Sequence, residues 1–233
     1  MADERGILMI RAETEAPIWF INHFLEVTSS NYLKLVSLRK ICRAFGQGAV
    51  DDDFMIAAHS FELIPPPERP SKDFGSVIVL ESKGHSARDF WRLFKNLQRP
   101  IVLRRGRRDF QPIFDPRSDE DALEIENLSA SSPVGVELSG AVGALIDLST
   151  GKLFAQRDNE RVSIAVENLR RIVETSHLIE SPKTPDGVRH FARDQLEALM
   201  NRQYRINRKL GIRRVEVTLP SVNRSLLQFE HTE

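Results

Sequence analysis

SVIVLESKGHSARDFWRLFKNLQRPIVL, residues 76–103, decides the fold class. Its two ends are apolar and β-branched, so 76–82 and 101–103 read as strands. Between them Ser86, with Asp89 three residues on, has capping-box character. Phe90, Trp91, Leu93, Phe94 and Leu97 then fall at helical spacing until Pro100 stops the helix. Strand, helix and strand in this span make a unit able to form a parallel crossover.

Upstream, residues 54–64 are strand-like and are separated from 76–82 by the turn-rich PPPERPSKDFG at 65–75, which predicts a long-looped hairpin. The chain opens with a strand at 6–12, and Pro17 suits the first turn of a helix. Phe20, Phe24, Val27, Asn31, Leu35, Leu38, Cys42 and Phe45 then form one stripe at three- and four-residue spacing, predicting a long helix ending at Gly46. Thr28 to Asn31 have low helix propensity and mark the place for a kink or break.

Downstream, residues 104–121 are dense in charge and proline and read as a surface excursion with one small strand at 112–114. Alternation at 122–128 and 134–138, and again at 143–148 and 152–155, predicts two hairpins, with a helix over 140–148 as the alternative. Helical periods over 159–178 and from Thr184-Pro185 to Leu210, stopped by Gly211, predict a helical hairpin. The remainder, alternating at Val215, Val217 and Leu219, reads as an edge strand before a frayed end.

The fold class is therefore α+β: a mixed sheet with a long N-terminal helix and one strand-helix-strand unit, followed by a C-terminal helical hairpin. The expected division is a body over 1–156, the hairpin over 157–211 and a tail over 212–233.

In the 233 residues, 33 Lys and Arg cancel 33 Asp and Glu, so attraction to nucleic acid or membrane must come from local clustering. With 41% hydrophobic and 28% charged residues the composition is that of a folded globular chain. The single cysteine, Cys42, cannot form an internal disulfide and lies on the apolar stripe, where it reads as a small buried hydrophobe. MADERG at the start is polar, and no apolar run reaches membrane-spanning length, so a soluble cytoplasmic protein with no membrane partner is expected.

Glu81 and Lys83 close the apolar strand with one residue between them, so both side chains share a face. The pair resembles the E-x-K half-motif of the PD-(D/E)xK nuclease superfamily, over this strand and the helix after it. The resemblance implies Mg²⁺ bound by Glu81 and water or phosphate positioned by Lys83, with a second acid from Glu62 or Asp73. The bland alternative, a solvated pair at a strand end, is favoured by how often E-x-K arises by chance.

Cations cluster twice: Arg104, Arg105, Arg107 and Arg108, then Arg202, Arg205, Arg208, Lys209, Arg213 and Arg214, with Tyr204 among the latter, in a segment without acids. Such clusters can neutralise phosphates, although a helix C-terminus attracts cations on its own account. The six histidines have no zinc-hydrolase spacing, and no nucleophile elbow, dinucleotide fingerprint or P-loop occurs.

The sequence thus predicts a non-enzymatic interaction or assembly subunit without a cofactor, binding a protein partner or itself as a homo-oligomer. Phe191, Leu196, Leu199, Met200, Tyr204 and Leu210 give the second hairpin helix a broad apolar arc for that purpose. The alternatives are the Mg²⁺-dependent nuclease on Glu81 and Lys83, and a nucleic-acid or phosphate binder using the arginine clusters.

Overall fold

The computed structural model describes residues 4–12, 17–60, 77–80, 85–107, 109–114, 122–129, 134–149, 160–164, 174–219 and 224–231. In chain order these form β1 (Arg5–Ala12), α1 (Ile18–Gly46), a 3-10 turn (Asp51–Asp53), β2 (Phe54–Ser60), β3 (Val77–Val79), α2 (His85–Asn96), β4 (Pro100–Arg105) and β5 (Phe110–Pro112). They continue as β6 (Glu124–Ser129), β7 (Val134–Ala141), α3 (Val142–Ser149), β8 (Glu160–Ile164), α4 (Glu174–Ile179), α5 (Asp186–Lys209), β9 (Ile212–Leu219) and β10 (Arg224–His231). No helix among the described residues is long and apolar enough to cross a membrane.

The protein is α+β with two antiparallel sheets and two compact units. The first unit takes Met1–Val36, Pro116–Thr175 and Glu197–Glu233, the second Ser37–Asp115 and Ser176–Leu196, so α1 and α5 each contribute to both.

In the first unit the strands run β6-β7-β1-β9-β10-β8, every pairing antiparallel. Alternation builds its apolar face: Leu8 lies between Leu138 and Val217, Ile10 between Val136 and Val215, and all are buried. α1 approaches this sheet at Gly140, where an added Cβ would sit 2.5 Å from the Tyr32 hydroxyl oxygen. Only glycine leaves room there, and the same hydroxyl accepts the Ala141 N–H at 2.6 Å. α3 packs on β1, β7 and β9 and is buried throughout, its Asp147 accepting a 2.6 Å bond from the Thr175 hydroxyl.

In the second unit the order is β3-β2-β4-β5, again antiparallel at every pairing. β3 and β4 are each antiparallel to β2, hence parallel to one another, with α2 as the crossover between them. The strand-helix-strand unit exists, but its strands are not neighbours. The β2–β3 hairpin fills one edge of β2, and the strand returning from α2 takes the other. The expected mixed sheet is therefore two antiparallel sheets. Phe90, Trp91 and Phe94 bury the apolar face of α2, which packs on β2 and β3, and Phe45 meets Phe54 with ring centroids 5.1 Å apart.

Several local expectations change. α1 is continuous through Thr28 to Asn31, and from Val27 to Phe45 almost every residue is buried, Lys34 and Arg39 included. One stripe was visible in the sequence, yet the helix is enclosed nearly all round. Residues 142–149 form α3, the helical alternative to the hairpin strand; apolar residues at almost every position satisfy either period. Residues 160–164 form a strand where a helix was expected, since their partner β10 lies far along the chain. Residues 212–219 form an interior strand and not an edge, flanked by β1 and β10. Of the helical hairpin, α4 and α5 are observed; the earlier part of its first limb, 165–173, lies outside the described residues.

Candidate functional site

The second half of α5 has two faces set by its three- and four-residue rows. Leu199, Gln203, Ile206 and Leu210 form the buried row. Arg202, Arg205 and Lys209 form an exposed row beside it, with Arg208 exposed on the next row and Tyr204 half-buried. The helix ends at Gly211, whose φ of 65° is the left-handed conformation that closes a helix and turns the chain into β9.

Two open hollows flank these cations. One, about 420 Å³, is walled by His23 and Val27 of α1 and by Ala198, Asn201, Arg202, Arg205, Ile206 and Lys209 of α5. The other, about 460 Å³, runs along α5 past Asn201, Tyr204, Arg205, Arg208 and Lys209. Among the described residues, no carboxylate pairs with Arg202, Arg205, Arg208 or Lys209.

Beneath the row lies a buried polar seam between α1 and α5. Asn31 Nδ2 donates to Gln203 Oε1 at 2.9 Å, and Gln203 Nε2 donates to Thr28 Oγ1 and to Asn207 Oδ1, both at 2.9 Å. Thr28, Asn31 and Gln203 are buried, so these bonds fix the register of the two helices. They also explain why α1 runs unbroken through this stretch: Thr28 and Asn31, two of its poor helix formers, are bonded across to α5. Lys34, one turn beyond Asn31, is only 2% exposed. Burial first, and the Arg202 cation second, lower its ammonium to about 8. The seam was missed in the sequence because Gln203 sits inconspicuously between Arg202 and Tyr204, and Lys34 inside the apolar run Leu33 to Val36.

The other arginine cluster ends the β4–β5 hairpin in the second unit. Arg104 is half-buried, Arg105 and Arg107 are exposed, and Arg108 lies outside the described residues. Arg105 bonds Asp52 at 3.1 Å and lies 5.7 Å from the Phe110 ring centroid. The fold assigns the two clusters to different units.

Glu62, Asp73, Glu81 and Lys83 lie outside the described residues, as do the side chains of β3. Among the described residues, no group of three or more His, Cys, Asp or Glu side chains is placed to hold a metal. Cys42 is buried, and burial pushes its thiol up to about 12, so it is not a nucleophile at neutral pH.

The apolar arc of α5 is largely covered within the chain: Leu196, Leu199 and Leu210 are buried, and Phe191, Met200 and Tyr204 half-buried. What α5 presents outward at this end is charge. No protein-family model, curated protein or solved structure matches this chain.

Proposed function

We propose that the chain is a nucleic-acid-binding protein that holds the phosphate backbone on the cationic row of α5. The observation that supports this reading is the row itself: Arg202, Arg205, Arg208 and Lys209, all exposed, in a segment free of acids from Ala198 to Val215. Arginine forks match phosphate oxygens bidentately, and lysine adds a point charge. The helix C-terminus opposes this with roughly half a negative charge, which four cations outweigh. A single tyrosine offers little stacking, so the contacts read charge and not sequence. No cofactor and no catalytic step belongs to this reading.

Fluorescence anisotropy with labelled duplex DNA and single-stranded RNA tests it. Binding is expected at low salt, with log affinity against log salt falling at a slope of about −3 to −4 for four contacted phosphates. The triple substitution Arg202→Ala/Arg205→Ala/Lys209→Ala lowers affinity by more than about tenfold and flattens that slope. Binding unchanged in the triple variant, or none at low salt, counts against it. Adding Mg²⁺ to the same reactions addresses the nuclease alternative: cleavage abolished by Glu81→Ala would replace binding with turnover.

A self-associating subunit remains a second reading, on a surface other than the α5 arc. It is favoured by the exposed Ile125 and Leu128 of β6.

A further inference from the structure

β6 is the end strand of the six-stranded sheet, with β7 on one side and no strand on the other among the described residues. Its ladder with β7 slips at Glu126, so Ile125 stands opposite Leu138 and Leu128 opposite Val136. Leu138 and Val136 are buried residues of the apolar face, so the bulge turns Ile125 and Leu128 onto that same face. There they are 56% and 45% exposed, among the large apolar side chains that the described residues leave open to water. An open edge carrying apolar side chains is a template for a further strand.

The sequence of β6, EIENLS, specifies which strand fits. Paired antiparallel with a second copy of itself about a two-fold axis between Glu126 and Asn127, it sets each Ile125 opposite the other copy's Leu128. The four apolar side chains then meet on one face, and the two apolar sheet faces become continuous. Charge is compatible with this register. Glu124, opposite Ser129 of the other copy, is already neutralised by Arg5, whose Nη2 bonds its Oε2 at 2.8 Å. Glu126 alone resists, because the axis brings two such carboxylates together.

We infer that this chain forms a two-fold dimer through β6, joining two six-stranded sheets edge to edge. The dimer is independent of the cationic row, and it becomes tighter as salt screens the two Glu126 side chains that lie diagonally across the axis.

Sedimentation equilibrium on the full chain, from micromolar to submillimolar concentration, is the test. A monomer–dimer equilibrium is expected. Ile125→Lys and Leu128→Lys each weaken it by at least about tenfold, since each desolvates an unpaired charge in the interface. Glu126→Gln strengthens it and removes the salt effect. Both apolar side chains are open to water in the monomer, so the lysine variants retain their fold, checked by circular dichroism. An Ile125→Cys/Leu128→Cys double variant forms a covalent dimer on oxidation, because directly opposed cross-strand positions lie within disulfide reach; buried Cys42 does not interfere. If a lysine variant fails to fold, the cysteine result decides. A strictly monomeric wild type, a dimer indifferent to the lysine substitutions, or a double-cysteine variant that does not cross-link overturns the inference.

Discussion

The arginines at the end of the β4–β5 hairpin and those at the end of α5 are equally conspicuous in the sequence, yet the fold treats them differently. At the hairpin, Arg105 has an acid partner in Asp52 and an aromatic neighbour in Phe110, so its charge is already answered within the chain. At α5 no carboxylate pairs with the cations among the described residues, and the nearby Lys34 is itself basic. The buried row of α5 is bonded, among the described residues, to Thr28, Asn31 and Asn207, none of them acidic. The difference teaches that density of charge alone does not single out a candidate site; whether the described neighbours already answer the charge does.

That contrast can be broken at three further places. The largest effect is expected at Gln203, which has no counterpart in the hairpin. Gln203→Ala leaves Asn31 and Thr28 buried without their partner and costs about 2–4 kcal/mol in urea unfolding, with loss of nucleic-acid affinity as the helix register loosens. A cost below about 1 kcal/mol would mean that the seam does not hold the row in place.

Next comes Lys34, whose ammonium is lowered from 10.5 to about 8. Between these values the unfolded chain holds the proton more tightly than the folded one. Stability contributed at this site therefore rises with pH across the window and is penalised below it. Lys34→Met, which cannot titrate, is most favourable relative to wild type near pH 7. It loses on the order of 1–3 kcal/mol of that relative advantage by pH 10.5. Paired thermal melts follow the difference, and a gap independent of pH would show that Lys34 titrates normally.

The smallest effect is expected in the hairpin. Arg105→Ala removes a partly exposed ion pair and costs at most about 1 kcal/mol. It leaves nucleic-acid affinity within about twofold, as anisotropy would show. A large loss of affinity would transfer the proposed contact to this cluster.

Much of the fold was legible because it depends on periods along the chain. The stripe from Phe20 to Phe45 gave α1, the run closed by Gly211 gave α5, and alternation gave β1, β7 and β9. What failed did so where two periods fit equally, as in α3, or where the partner lies far away, as for β8 with β10. The cationic row was legible as charge at three- and four-residue spacing. The seam beneath it was not, because Thr28 and Asn31 read only as weak helix formers until α5 lies against them.

By itself the sequence determined the α+β class, the long first helix and the position of Arg202, Arg205, Arg208 and Lys209 on α5. Spacing along one chain fixes which residues share a face. Tertiary structure alone decided that both sheets are antiparallel, that Arg105 is paired while the α5 row has no carboxylate partner among the described residues, and that no described strand covers the edge carrying Ile125 and Leu128. Those outcomes depend on which distant segments meet, and no local period encodes that.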